Sequence, residues 1–100
     1  MDKHWNCRLT VVGPKQQVEA LRESDWAGTL GARHCELLEC SPGRFACQFE
    51  TVQSPLESLK RLSKRSPGLV FLVDYETEGE RIKGLAKATD GALEHCEFSY

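Results

Sequence analysis

The sequence lacks the features that identify several large classes of protein. It has 100 residues but no run of eighteen apolar ones, the length that a membrane-spanning helix needs. The longest apolar stretch, residues 69–73, has the length of a strand. The first residues also lack the apolar segment of a secretory signal. We therefore expect a cytoplasmic protein with no membrane partner.

Paired cysteine motifs are missing as well. The number of cysteines is odd, and none form a CxxC pair; they are Cys7, Cys35, Cys40, Cys47 and Cys96. The reducing cytoplasm disfavours a disulfide framework, and the ligand spacing of zinc or iron–sulfur sites is absent. Because cysteine often packs as a small hydrophobic residue, we expect buried thiols, no metal and no cofactor.

The sequence also carries no pattern that points to catalysis. Gly28, Gly31 and Gly43 lack the spacing and the lysine of a phosphate-binding loop. Neither a Ser/His/Asp arrangement nor a pair of carboxylates stands out. We expect no catalytic residues and classify the chain as a non-enzyme.

A strong positive charge is absent too. The net charge of −2 and the pI near 5.9 argue against a dedicated nucleic-acid binder. The densest cations belong to the second predicted helix, and they are Lys60, Arg61, Lys64 and Arg65. They could contact phosphates or an acidic partner, although such a cluster is more often the solvated face of an amphipathic helix. The first and third predicted strands also lack the aromatic platform of RNA readers.

What the sequence does contain is one unit repeated twice: an extended segment, a helix and a second extended segment. The first copy covers residues 5–13, 14–25 and 34–41, and the second covers 44–52, 55–65 and 69–76. Each predicted helix opens with a proline, Pro14 or Pro55, directly after a small residue. Proline suits a helix start because its missing N–H would have no partner there.

Alternating side chains support the strand assignments. Trp5, Cys7, Leu9 and Val11 alternate with more polar residues, which predicts a half-buried strand with its odd-numbered side chains inward. Residues 34–41 form a weaker strand, because Leu37 and Leu38 interrupt the alternation and indicate a bulge. Residues 27–33 read as a loop.

The last quarter of the chain predicts a β-hairpin. Asp90 and Gly91 form a strong turn signal between residues 81–88 and 92–100. A helix over 81–88 competes, because lysine, leucine and alanine favour helix. Gly84 and the absence of a cap favour the hairpin.

Together these elements predict one α+β domain. Right-handed crossovers would place two helices on one face of an antiparallel sheet, which is the ferredoxin-like split βαβ arrangement, β-α-β-β-α-β. Residues 1–76 form this core, and 77–100 form the C-terminal hairpin. The predicted open face carries Arg8, which could pair with Glu50 or Asp74 or could line a ligand site.

Several short motifs resemble a known family. The segment from Trp5 to Pro14 looks like the start of small YubB-like proteins encoded on bacterial plasmids and phages. Members open with tryptophan and cysteine and continue into a strand of the form Arg-Leu-Thr-Val-x-Gly. Residues 49–51, 54–56 and 59–65 are similar too, as is the tail with Gly79, Gly84 and residues 90–91. In the family the cysteine usually follows the tryptophan directly, whereas Asn6 intervenes here. The resemblance implies a ferredoxin-like fold with an added hairpin and assigns no catalytic residue.

These features favour a small non-enzymatic protein-interaction domain, and the resemblance suggests an accessory protein of a mobile element. Its partner would be another protein or a second copy, bound through the sheet face or a sheet edge. Apolar residues expected on the open face, Val12, Val70 and Leu72, motivate the homodimer. One alternative is a small-ligand-sensing domain. A second is weak nucleic-acid binding through the cationic helix, with Arg8 and the four cations as candidate binding residues.

Overall fold

The computed structural model describes residues 4–77 and 79–100, which form six strands and three helices. The chain is α+β. In chain order the elements are β1 (Trp5–Val12), α1 (Lys15–Glu23), α2 (Trp26–Leu30), β2 (Arg33–Ser41), β3 (Arg44–Thr51), α3 (Leu56–Arg65), β4 (Val70–Thr77), β5 (Ile82–Thr89) and β6 (Ala92–Ser99). Within the described ranges, no helix is both long enough and apolar enough to cross a membrane.

All six strands belong to one sheet, in the order β2-β3-β1-β4-β5-β6. Every neighbouring pair is antiparallel. The predicted C-terminal hairpin is confirmed, and the competing helix over residues 81–88 is wrong. Asp90 and Gly91 both have positive φ, 50° and 86°, as a tight two-residue hairpin turn requires. The hairpin extends the sheet beside β4.

The core lies against the face formed by the odd-numbered residues of β1. Leu9 and Val11 are fully buried there, and all three helices contribute side chains to the same cluster. The helical members are Val18, Leu21, Leu30, Leu59 and Leu62. Each large aliphatic side chain buried in this way contributes roughly 1.5–3 kcal/mol.

The predicted loop over residues 27–33 is partly wrong, because α2 occupies Trp26–Leu30 and gives the chain a third helix. Asp25 caps its start by accepting a hydrogen bond from the Gly28 N–H at 3.3 Å. Gly31 ends it with a φ of 67°, in the left-handed region that glycine tolerates. The ring of Trp26 packs 5.6 Å from that of Phe45, between centroids.

The edge strand β2 is irregular, as its sequence predicts. Its pairing with β3 shifts between Leu37 and Glu39, which confirms the bulge, and it shifts again between Arg33 and Glu36. Every residue of β2 is exposed.

The hairpin turn is fixed to the rest of the fold. The hydroxyl of Ser63 in α3 donates to the Lys60 carbonyl at 2.8 Å and accepts from the Gly91 N–H at 3.0 Å. Asp90 Oδ1 accepts a hydrogen bond from the Gly68 N–H, also at 3.0 Å. These contacts hold β5 and β6 in place beside β4.

Candidate functional site

The face of the sheet that points away from the core carries a continuous row of side chains. Because side chains alternate along each strand, Arg8 of β1 lies on this open face. The register places Gln48 of β3 on one side of Arg8 and Asp74 of β4 on the other. The row continues with Leu85 opposite Asp74 and Cys96 opposite Leu85. Five strands therefore contribute neighbouring side chains to one surface.

This surface is concave. Two adjoining cavities, of about 620 Å³ and 490 Å³, share Arg8, Asp74 and Leu85 in their walls. We call the combined concavity the trough. It runs along the strands over the middle of the sheet, with β5 and β6 supplying one of its sides.

Three large apolar side chains are exposed in the trough. Leu85 is 62% exposed, Phe98 57% and Leu72 41%. Leu85 lines both cavities, Phe98 lines the larger and Leu72 the smaller. Val12 and Val70, which we also expected on this face, are only partly exposed. The trough therefore presents an apolar strip that no other described residue covers.

Charges of both signs surround this strip. Lys83 Nζ lies 3.7 Å from Glu76 Oε2, and His34 Nε2 lies 3.9 Å from Glu50 Oε2. The Gln48 amide donates a hydrogen bond of 2.8 Å to Glu36.

Arg8 occupies the predicted face but makes neither of the predicted pairs. It lies opposite Asp74 in the register, yet within residues 4–77 and 79–100 it forms no ion pair with Asp74 or Glu50. Arg8 is exposed, and it lines both cavities.

The cationic cluster lies elsewhere on the molecule. All its members are exposed on α3, and they are Lys60, Arg61, Lys64 and Arg65. Because α3 buries Leu59 and Leu62 in the core, the structure does not bring this cluster together with Arg8 on the open face. None of the four forms an ion pair with another described residue.

The thiols divide into two groups. Cys7 and Cys47 are buried as expected, and desolvation raises the pKa of each thiol to about 12. Cys35, Cys40 and Cys96 are exposed, so the expectation of generally buried thiols is wrong for these three. They lie on β2 and β6, the strands that end the sheet and have a neighbour on one side only. No group of three or more metal-ligating side chains occurs in the described part of the chain.

Sequence reasoning missed two aromatic residues, Phe98 in the trough and Tyr100 beside Lys83. Phe98 and Tyr100 are two residues apart and both are exposed. The cations nearest the Tyr100 ring are Lys83, 5.3 Å from its centroid, and Arg81, 5.7 Å from it. The aromatic platform of RNA readers is expected on the first and third strands, whereas these two residues lie at the end of the chain. The alternation of Phe98 and Tyr100 at the end of the hairpin was the available signal.

Comparison of the chain with protein-family models, with curated proteins and with solved structures finds no match.

Proposed function

We propose that this chain is a small, non-enzymatic protein-interaction domain that binds its partner through the trough. The observation that carries this proposal is the exposure of Leu72, Leu85 and Phe98 together on one concave surface. A single exposed apolar residue is ordinary, but adjacent exposed apolar residues with a charged rim are typical of a protein-binding surface.

The charges around the strip favour a protein over a nucleic acid. Asp74 and Glu76 lie on the same face as Lys83 and Lys87, so no part of the trough is uniformly positive. A phosphate backbone would gain from the lysines but would be repelled by the carboxylates. The partner that fits is an amphipathic segment of a protein, whose apolar side chains contact the strip and whose charges of both signs meet the rim.

A ferredoxin-like core is part of the proposal. The order β2-β3-β1-β4 and the antiparallel pairing support it, as does the burial of α1 and α3 in one core. The hairpin β5–β6 would be an addition to that core. The resemblance to YubB-like plasmid and phage proteins supports a cytoplasmic accessory role on a mobile element.

A photo-crosslinking experiment in cells tests the proposed surface. A benzophenone amino acid replaces Leu85 in the trough or, as the matched control, Arg61 on α3, which is also exposed. We expect a discrete protein adduct from position 85 and none from position 61. Adducts from position 61 alone, or none from either position, would overturn the proposal.

The larger cavity also supports a second candidate, a small-ligand sensor. Its volume of about 620 Å³ lies within the range of small-molecule sites, and the exposed Arg8 could bind an anionic group in it. Native mass spectrometry of gently purified protein tests this. A stoichiometric extra mass that Arg8→Ala abolishes would favour the sensor, and bare protein would argue against it.

A further inference from the structure

The two edges of the sheet differ in how well they could accept another strand. The sheet ends at β2 on one side and at β6 on the other. β2 is interrupted by two register shifts, which are a common protection against edge-to-edge pairing. β6 pairs with β5 without interruption from Ala92 to Ser99. It therefore offers a regular edge of eight residues without a proline.

The hydrogen bonds of β6 reveal which of its residues face outward. The Tyr100 N–H donates to the Arg81 carbonyl at 2.8 Å, so the backbone of Tyr100 points toward β5. Because backbone groups alternate in direction along an antiparallel strand, the even-numbered residues of β6 pair with β5. The odd-numbered residues direct their N–H and C=O groups outward, and these are Leu93, His95, Glu97 and Ser99.

We propose that a second copy of the chain pairs with this edge, β6 against β6 in antiparallel orientation, with the two Cys96 residues facing each other across the two-fold axis. The two six-stranded sheets then join into one of twelve strands, with the troughs side by side. This inference goes beyond the proposed function: it uses the outward backbone edge of β6, the strand whose Cys96 also lines one side of the trough.

The side chains of β6 select this register. Hydrogen-bonded pairs across the new edge must join odd-numbered residues, so the register can change only in steps of two residues. With Cys96 on the axis, His95 of each copy lies opposite Glu97 of the other. The imidazole N–H can then donate to the carboxylate in two symmetric pairs. Centring the pairing on His95 or on Glu97 instead would oppose two histidines or two carboxylates.

The existing contacts of Glu97 are compatible with this pairing. Its Oε1 already accepts a hydrogen bond of 3.0 Å from the Tyr75 hydroxyl, which holds the carboxylate in place. The other carboxylate oxygen can then accept from His95 of the second copy at a smaller entropy cost, since the side chain is already ordered. On the opposite face of the sheet, Glu94 would lie across from Phe98, so no like charges meet there.

Sedimentation equilibrium of the full chain is the first test, and we expect a dimer at high micromolar concentration. His95→Pro removes one outward N–H while leaving the pairing with β5 intact, because proline is tolerated where its nitrogen faces away from the sheet. This variant should be monomeric with a wild-type circular dichroism spectrum. The matched control His95→Thr keeps the N–H and a β-favouring side chain, and it should still dimerise, more weakly than the wild type.

A disulfide crosslink tests the register independently of the proline variant. In a Cys35→Ser, Cys40→Ser background, Cys96 is the one exposed thiol that remains among the described residues. Diamide would accept two electrons and two protons as two Cys96 thiols become a disulfide. The Cα atoms of such a non-hydrogen-bonded pair lie about 4.5 Å apart, within the range that a disulfide spans. We expect rapid covalent dimer formation.

A displaced cysteine is the control for this register. In the proposed pairing, residue 94 lies opposite residue 98, so the two residues 94 are about 13 Å apart. The same background with Cys96→Ser and Glu94→Cys should not crosslink. A monomer in sedimentation, or faster crosslinking from position 94 than from position 96, would overturn the inference. The trough proposal would be unaffected, because its test reads adducts from position 85.

Discussion

The hydroxyl of Tyr75 donates a hydrogen bond to Glu97 Oε1 at 3.0 Å, reaching from β4 across β5 to β6. Gly84 lies between the two residues, paired with Tyr75 on one side and with Glu97 on the other. Because Gly84 has no side chain, the Tyr75 ring can lie over the backbone of β5. Burial raises the pKa of the Tyr75 phenol, and the hydrogen bond to Glu97 raises it further. The contact ties the edge strand to the interior of the sheet.

We expect Gly84→Ala to destabilise the fold by about 1–3 kcal/mol, because the added Cβ would overlap the Tyr75 ring and force it to move. Urea denaturation measures this change in the free energy of unfolding. Gly79→Ala is the matched control, since, apart from its chain neighbours, no described residue has a heavy atom within 4 Å of a Cβ placed there. Equal stabilities of the two variants would contradict the close approach of Tyr75 to Gly84.

A double-mutant cycle measures the hydrogen bond itself. Tyr75→Phe removes the donor, and Glu97→Gln removes the charge of the acceptor. We expect a coupling free energy of about 0.5–1.5 kcal/mol, because one end of the bond is accessible to water. Hydrogen exchange should speed up at β6 amides in Tyr75→Phe and stay unchanged in β1. A coupling of zero would show that the two groups do not interact in solution.

Thiol labelling distinguishes the two groups of cysteines. In the folded protein, Ellman's reagent should react quickly with Cys35, Cys40 and Cys96, which are exposed. Cys7 and Cys47 should react only as the protein unfolds, because burial blocks access and keeps the thiols protonated. When urea unfolds the protein, Cys7 and Cys47 should become reactive at the same urea concentration. Fast labelling of more than three thiols in the native state would contradict this core.

The same two buried thiols predict a loss of stability at alkaline pH. Their pKa is raised from 9.0 to about 12 in the folded state, so between these values the unfolded chain releases thiol protons that the folded chain keeps. The free energy of unfolding is therefore unaffected by the ionisation of these thiols below pH 9, and it falls as the pH rises from 9 toward 12. Each thiol lowers the free energy of unfolding by up to about 1.4 kcal/mol per pH unit.

Urea denaturation below and above pH 9 checks this slope. The double variant Cys7→Ala, Cys47→Ala should be less stable at neutral pH but should lose stability less steeply above pH 9. A variant with serine at the three exposed cysteines is the control and should keep the wild-type slope.

For the cationic cluster on α3, we expect little role in either stability or trough binding. Replacing Lys60, Arg61, Lys64 and Arg65 by glutamate removes exposed cations that form no ion pair with other described residues. The change in stability should stay within about 1 kcal/mol, mostly from repulsion at the negative end of the helix dipole. The photo-crosslinked adducts from position 85 should still form in this glutamate variant. Salt-sensitive binding of the wild type to single-stranded RNA, lost in the variant, would instead favour the nucleic-acid alternative.

Local patterns were sufficient where neighbouring residues determine the structure. The alternation around Leu9 predicted the buried face of β1 and hence the position of Arg8 on the open face. The pair Asp90 and Gly91 predicted the hairpin, since their turn geometry depends on those two residues. α2 was missed because five residues are too few to show a helical period.

Features that depend on which strands are neighbours in the sheet were harder to predict from the sequence. Cys35 and Cys96 are exposed because β2 and β6 end the sheet, a consequence of long-range pairing that alternation within a strand does not encode. The same holds for the trough, whose walls combine β1, β3 and β4 with the hairpin β5–β6. Its apolar strip becomes visible only when Leu72, Leu85 and Phe98 are placed on adjacent strands.

The central position of β1 has a consequence for synthesis. β1 leaves the ribosome before both strands that it pairs with, and Trp5 meets Thr77 only after all the intervening residues have been made. Such non-local pairing slows folding and leaves apolar residues such as Leu9 and Val11 without their neighbours in the meantime. A ribosomal pause before residue 77 would therefore prolong this exposure and favour aggregation of the nascent chain.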